Sequence, residues 1–472
     1  MNDQVGNKTK LIEKSFWLFT GRALPVIILF FITILYSRRL NYSDYGTFQS
    51  VWMYANIVNV IISFGFSSVI LSTNLSFLFL FIKNNRKIIT TFYTILSAGG
   101  LIVFFFLAKN FNTSVKLWLI VFIIIQNIIT VAETLLIKRG KEKVSFIINV
   151  FYSLLFFGCH LYILLSHYSL SNLIITLCIL SILKLIAIIS IPTQIENYKP
   201  VTDEKHFLKH WAYLGFSEIL GVTSKWIDKA FLLYLLTAAD FAVFFNGSFE
   251  IPLFGLLISA AGSFMLIEIS GNLQLKSKIL SLFKESFNML SSIVFPLFLF
   301  LFFFREEIFS YVFKNKYNDS VPIFAISIFI LPLRINNYSV ILQCFSQGKK
   351  VMLGSLIDII IAFILMVILY PIMGSRGIVL SIVISTYCQV LYYLWHSAKI
   401  LKVKMHELLP LQKLAVKFLI LLVLYFIIFL LLTHSSIIIK LLIGGAFTTL
   451  LILTGMWSYF KTFFKKNNGQ VP

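Results

Sequence analysis

Four ionisable side chains stand in the middle of a stretch that is otherwise apolar enough to cross a membrane. The stretch, FLKHWAYLGFSEILGVTSKWIDKAFLLYLL, runs from Phe207 to Leu236 without a proline and carries Glu218, Lys225, Asp228 and Lys229. A charge at membrane depth costs roughly 3 kcal/mol, so it normally faces a bundle interior or a water-filled cavity. Spacings of seven and four put Glu218, Lys225 and Lys229 on one helical face. Asp228, three residues after Lys225, is placed to pair with it. The pattern fits a self-neutralising structural cluster, or a helix lining a polar, substrate-bearing cavity. The second reading gains weight from three more cations inside apolar segments: Arg22, Lys184 and Arg334. The acids at depth are Glu133, Glu218, Asp228, Glu250 and Asp358. Glu133 falls near an expected cytoplasmic helix end and reads as solvated.

The elements that must hold these groups are membrane helices. Of 472 residues, 59% are hydrophobic and 12% charged, about half the charge of a soluble chain. Mean hydropathy is +0.91. Apolar runs of about 20 residues recur throughout, which makes this an all-α polytopic membrane protein rather than a barrel. A net charge of +21 would point to nucleic acid in a soluble protein. No soluble domain exists here to bind one, so the charge reads as positive-inside topology plus an interior that receives anions. The four cysteines, Cys159, Cys178, Cys344 and Cys388, form no metal-ligand spacing and read as packing residues. The opening MNDQVGNKTKLIEKSFW has no cleavable pattern, so the first apolar segment is expected to stay as a signal anchor. Neither GxxxxGK[ST], HExxH nor GxSxG occurs, which argues against a nucleotide-driven pump and against common hydrolases. Arg305, Glu306 and Glu307, in the longest outside loop, read as a solvated helix end, and His160 as a packed side chain.

Fourteen spans are expected: 15–38, 48–71, 88–108, 116–137, 145–165, 171–191, 208–236, 239–267, 285–304, 320–343, 352–372, 376–397, 412–433 and 437–460. The second could extend into LSFLFLF at 75–81. With the N-terminus in the cytoplasm, inside segments hold 26 Lys and Arg and outside segments nine. That asymmetry favours an even span number with both ends inside. LNYSDYGTF (40–48) aligns with LTAADFAVF (236–244), matching Leu40 with Leu236, Asp44 with Asp240, Tyr45 with Phe241 and Phe48 with Phe244. An offset of six spans makes the halves parallel repeats about an axis normal to the membrane, with a cavity between them. The polar linker IPTQIENYKPVTDEKHF (191–207) then separates an N-lobe (1–196, spans 1–6) from a C-lobe (197–404, spans 7–12), with spans 13 and 14 and a cytoplasmic tail at 405–472. Pro25 beside Arg22 and Pro332 beside Arg334 put charges next to bends. Such pairs fit a gating cavity and ordinary bent helices equally.

SRRLNYSDYGTFQSVWMYANIVNVIISFGFSSVI (37–70) resembles the start of polysaccharide-export flippases, through Arg39, Leu40, Tyr45, Gly46, Phe64 and Gly65. These belong to the O-antigen flippase branch of the multidrug/oligosaccharidyl-lipid/polysaccharide exporter superfamily. WIDKAFL (226–232) is similar to the family's D-K/R helix, and GSRGIVLSIVIS (374–385) to the opening of its span 12. The resemblance runs across most of the chain on short, largely apolar motifs. It implies two six-helix lobes around a central cavity with two appended C-terminal helices, and alternating access in the bacterial cytoplasmic (inner) membrane. The implied cargo is an undecaprenyl-pyrophosphate-linked oligosaccharide, and the implied partners are a polysaccharide polymerase and a chain-length regulator. Arg22 matches the position type of cavity arginines in related lipid II flippases. Some relatives bind Na+ with acids on spans 7 and 11. That makes Asp228 and Asp358, with Glu218 nearby, candidates for Na+ or H+ coupling, and no other cofactor is implied.

A pyrophosphate carries about two negative charges, and cations in a low-dielectric cavity would offset its desolvation. The candidate set is Arg22, Lys184, Lys225, Lys229 and Arg334. Aromatic and amide groups for the sugars would come from Trp17, Trp52, Tyr54, Asn56, Gln126, Trp226, Asn246 and Gln343. Two alternatives stay open: a multidrug or small-solute antiporter, and a membrane glycosyltransferase or O-unit polymerase.

Overall fold

The computed structural model describes residues 20–21, 24–73, 75–108, 111–166, 168–191, 204–248, 274–345 and 347–467, with isolated positions between 255 and 269. Among these residues there are helices, turns and no strands. Ten described helices are long and apolar enough to cross a membrane. The other four expected spans are of three kinds. Spans 15–38 and 239–267 lie partly outside the described residues, span 48–71 is interrupted, and span 208–236 carries too much charge to qualify on hydropathy.

By contacts the chain forms two compact units, Met1–Ala242 and Val243–Pro472. The first opens with α1, described over 24–39. It continues with α2 (Tyr42–Ser63), α3 (Phe66–Ser72), α4 (Leu75–Asn84), α5 (Arg86–Leu107), α6 (Thr113–Lys138), α7 (Glu142–Leu165), α8 (Leu170–Ile189), α9 (Glu204–Leu235) and the start of α10 (Ala238–Gly247). Within it, α2 packs on α5, α6 and α9, and α8 packs on α6 and α7. Although the polar linker precedes α9, contacts with α2 and α3 place it in this unit.

The expected second span is not one helix. α2 starts at Tyr42, capped by Asn41, whose side chain accepts from the Asp44 amide. It ends where Phe64 and Gly65 turn left-handed, at φ 40° and 72°. The Trp211 indole of α9 donates to the Phe64 carbonyl at 3.0 Å, satisfying a backbone group freed by the break. Gly65 is needed for its φ and for its contact, since a Cβ there would run into the Gly215 backbone. LSFLFLF does not extend α3. Thr73 is extended, and α4 is a separate helix. The two aligned stretches open with similar caps. As Asn41 caps toward Asp44, so Thr237 accepts from the Asp240 amide at 3.2 Å and donates to its carboxylate at 2.7 Å.

The second unit holds the rest of α10, α11 (Lys276–Phe303), α12 (Arg305–Phe313), α13 (Val321–Ser327), α14 (Val340–Cys344), α15 (Gly348–Met373), α16 (Ser375–Leu401), α17 (Met405–Leu408), α18 (Leu411–Leu431) and α19 (Ile437–Asn467). α11 is its centre, touching α18, α19 and the 3-10 segment Ile328–Ile335. α15 and α16 form a hairpin whose only connecting residue is Gly374, at φ 57°, ψ −139°. The expected tenth span, 320–343, is also broken. After α13 the chain tightens into the 3-10 segment, Arg334 leaves helical geometry at ψ 23°, and Asn336 is extended. Pro332 supplies the local cause, because its ring removes an amide donor and crowds the preceding turn.

Candidate functional site

On α9, Glu218 is reached across the unit by Ser68 Oγ of α3, which donates to its carboxylate. Asp228 pairs with its neighbour Lys229 at 3.1 Å, not with Lys225 as the spacing suggests. The Trp226 ring lies between the two lysines, 5.4 Å from the Lys225 ammonium and 5.7 Å from that of Lys229. Both ammoniums lie within cation–π range of that ring, and Lys229 also reaches Asp228. The Asp228–Lys229 pair is buried, whereas Lys225 is exposed and no carboxylate pairs with it among the described residues.

Lys184 is also taken. Its ammonium meets Glu133 at 3.2 Å and sits 4.7 Å over the Tyr152 ring. Glu133 is not solvated. It accepts from Ser145 Oγ at 3.0 Å and from Asn149 Nδ2 as well. Gln126 extends this network by donating to Ser181 Oγ at 2.8 Å and Tyr152 OH at 3.3 Å. α6, α7 and α8 are thereby tied through one polar cluster.

In the second unit Arg334 lies at the interruption 328–339 and lines a cavity of about 210 Å³ with amide and hydroxyl side chains. Asp358 is buried on α15, in a stripe with Gly354, Ala362 and Met366 spaced four apart. Arg22, Trp17 and Glu250 lie outside the described residues. Of the proposed sugar platforms, Tyr54 is fully buried against Phe104 and Phe111. Trp52 stacks around the buried His160, which is packed as expected and bonded to Tyr36 OH at 3.0 Å.

Three arrangements that hold a charged side chain within the protein are not foreseen from the sequence. Lys417, counted in a cytoplasmic segment, donates to Ser292 Oγ at 2.6 Å, Ser291 Oγ at 3.0 Å and the Asn288 carbonyl at 3.2 Å. It fastens α18 to α11 beside an apolar groove of about 570 Å³ between α11, α18 and α19. Glu307, expected to be solvated, pairs with Lys440 of α19 at 2.9 Å, both largely buried. Glu133 is the third. The partners lie 12 to 133 positions apart, so no single-turn helical spacing marks them.

A sequence model of the family described as "Polysaccharide biosynthesis protein" matches residues 35–322, more than half of the chain. No curated protein matches the chain in sequence. Among solved structures it is similar to "Lipid II flippase MurJ, inward closed conformation", with TM-score 0.68 and 17% identity, covering 96% of this chain and 100% of that one. An inward-facing multidrug resistance MATE family transporter of the MOP superfamily aligns at TM-score 0.59 and 13% identity, over 82% and 99% of the two chains. A MOP superfamily transporter from Pyrococcus furiosus Vc1 aligns at TM-score 0.53 and 13% identity, over 84% and 97%. At these identities the likeness concerns the fold, which is that of the MOP-type transporters. The family match covers the stretch from the end of α1 through α9 and into α13. The chain therefore belongs to the polysaccharide biosynthesis protein family and is a multi-pass membrane protein with a transporter fold.

Proposed function

We propose that the protein is a flippase, carrying an undecaprenyl-pyrophosphate-linked oligosaccharide across the bacterial cytoplasmic membrane by alternating access. The cargo class is an O-antigen or similar repeat unit. The observation that carries this reading is Lys225, an exposed ammonium in a bilayer-length helix with no carboxylate partner among the described residues. An exposed cation at that depth needs water or an anionic ligand. Lys225 and Arg334, with Arg22 outside the described residues, are the groups we assign to the cargo's anionic parts. Lys184 and Lys229 are withdrawn from that role because Glu133 and Asp228 hold them. The apolar groove beside Lys417 offers a bed for an isoprenoid chain, through Val416, Ile420, Leu421 and Leu451. Membership of a polysaccharide biosynthesis family and a fold shared with a lipid II flippase support the same cargo class.

Energy would come from a Na+ or H+ gradient, with Glu218, Asp228 and Asp358 as coupling acids. Each elementary charge moved contributes about 2.3 kcal/mol per 100 mV. A polymerase and a chain-length regulator would act on the delivered unit. The test is flipping of a fluorescent lipid-linked oligosaccharide in proteoliposomes. Lys225→Ala is expected to slow it at least about tenfold, the loss of one charged contact, while Lys225→Arg retains most of the rate. Wild-type rates for both Lys225→Ala and Arg334→Ala would overturn the reading.

A further inference from the structure

Helices α4, α5 and α9 enclose a groove of about 340 Å³ within the first unit. Its walls are aromatic and aliphatic, with Phe64, Ile88, Phe92, Leu208, Trp211 and Phe216 among them, and Asn85 supplies the one amide of the lining. Ile88 is 69% exposed, Leu208 50% and Phe216 55%, so the groove opens outward, toward lipid rather than toward the core. Its volume equals roughly eleven waters at about 30 Å³ each. A methylene fills about as much space as a water. The groove therefore takes one acyl chain over most of its length and has no room for an oligosaccharide.

The mouth of the groove is basic. Lys83 stands in the last turn of α4, Arg86 and Lys87 in the first turn of α5, and Lys209 in the second turn of α9. They flank two lining residues, Asn85 and Leu208. All four are exposed, and none forms an ion pair among the described residues. Glu204, in the first turn of α9, offsets one charge of the four. Nearby cations at the end of α6 are used within the protein. Lys138 donates to the Leu71 carbonyl at 2.5 Å, and Arg139 lies 6.0 Å from the Phe79 ring. Phe92 lies six residues past Arg86 and Phe216 seven past Lys209, about 9 and 10 Å deeper at about 1.5 Å per residue. Charge at the mouth with an apolar channel running inward is the layout that a phospholipid requires. Phe64 and Trp211 are wall residues that also carry the bond across the α2 break, so an occupant touches the break itself.

We propose that this groove holds one anionic phospholipid of the adjacent leaflet, the cytoplasmic one in the orientation expected from charge. Its phosphate sits among Lys83, Arg86, Lys87 and Lys209, and one acyl chain lies along Phe92, Trp211 and Phe216. A zwitterionic lipid fits the same walls but brings a cation among four like charges. An undecaprenyl chain, with a methyl branch on every isoprene unit, is longer and thicker than the groove. The site stands apart from the cargo assignment above and is tested without it.

The full chain is reconstituted in nanodiscs with a trace of photoactivatable phosphatidylglycerol or phosphatidylcholine, each with a diazirine on one acyl chain. Labelled peptides are mapped by mass spectrometry. The phosphatidylglycerol label is expected on residues 85–92 and 208–216, at least about fivefold above phosphatidylcholine, the preference that a single cation supplies. The combined variant Lys83→Gln, Arg86→Gln, Lys87→Gln, Lys209→Gln should lower phosphatidylglycerol labelling of these peptides to the phosphatidylcholine level. Phosphatidylcholine labelling should stay unchanged, which shows that the groove remains folded. Ala212→Phe adds a ring to the lining and should reduce the label from both lipids at these peptides alone. Equal wild-type labelling by the two lipids overturns the headgroup assignment, and label confined to other helices overturns the site. Displacement of the label by undecaprenyl pyrophosphate at lower concentration than by unlabelled phosphatidylglycerol overturns the phospholipid in favour of the cargo.

Discussion

Lys184 is the residue whose surroundings differ most from its sequence context. A cation on the otherwise apolar α8 invites assignment to a cargo. Yet Glu133 of α6 pairs with it, the Tyr152 ring of α7 lies against it, and Ser145 and Asn149 of α7 hold the other Glu133 oxygen. Breaking one partner out of a buried pair costs about 3–5 kcal/mol. With the Glu133 side chain 21% exposed, Glu133→Ala should cost about 2–3 kcal/mol, read as a lowered unfolding midpoint in detergent. Glu133→Gln keeps acceptors for Ser145 and Asn149 and should cost less, and adding Lys184→Met should recover stability. An unfolding midpoint for Glu133→Ala equal to wild type would show that the cluster holds nothing together. What could be read from the chain was the presence of charge at depth, because hydropathy marks it directly. The pairing was hidden. Glu133 sits five residues before Lys138 and looked like a wet helix end, and Asp228 pairs with its sequence neighbour Lys229 rather than with Lys225 three positions away.

At the scale of elements, the interruptions are where the structure departs most from the expected spans. Hydrophobic continuity made 48–71 and 320–343 look unbroken, since periodicity records burial and not backbone hydrogen bonding. The residues that break them were in view, Phe64 and Gly65 in the first and Pro332 in the second, but a single Gly or Pro is tolerated inside membrane helices. Asn336, buried and bonded to Ser286 Oγ at 3.2 Å and the Phe283 carbonyl at 3.3 Å, ties the second break to α11. The caps and the α15–α16 turn are set locally, by the Asn41 and Thr237 side chains and by the backbone of Gly374. Gly374 allows a sharp test. Its φ 57°, ψ −139° is a region nearly closed to residues with a Cβ, at a cost of about 1–3 kcal/mol. Gly374→Ala should therefore destabilise the protein by about that amount. Ala at Ser375, one position on and inside α16, should have a much smaller effect. Equal unfolding midpoints for the two variants would remove the backbone explanation.

For the whole molecule, the bilayer imposes simple rules, so class and helical architecture were readable from composition and run length. Orientation is an expectation from charge, and two of the cations counted toward it are held by other side chains. Lys417 is spent on α11 and Lys440 on Glu307, so neither reports on topology. Setting both aside still leaves a clear excess of cations in the segments assigned to the cytoplasm. The short connection between α18 and α19 carries no Lys or Arg, the pattern of a translocated loop. A phosphatase inserted at Ser435 is therefore expected to be active, and the same enzyme fused after residue 472 inactive, with a fluorescent protein giving the opposite pair. Placing two lysines at Thr433 and Ser436 should lower the phosphatase signal at Ser435, because the loop would then compete for the cytoplasmic side. Phosphatase activity at the chain end would show an odd number of crossings. If the miscount fell within the first twelve spans, the parallel-repeat reading would fail as well, since six spans per half is what gives both halves one orientation.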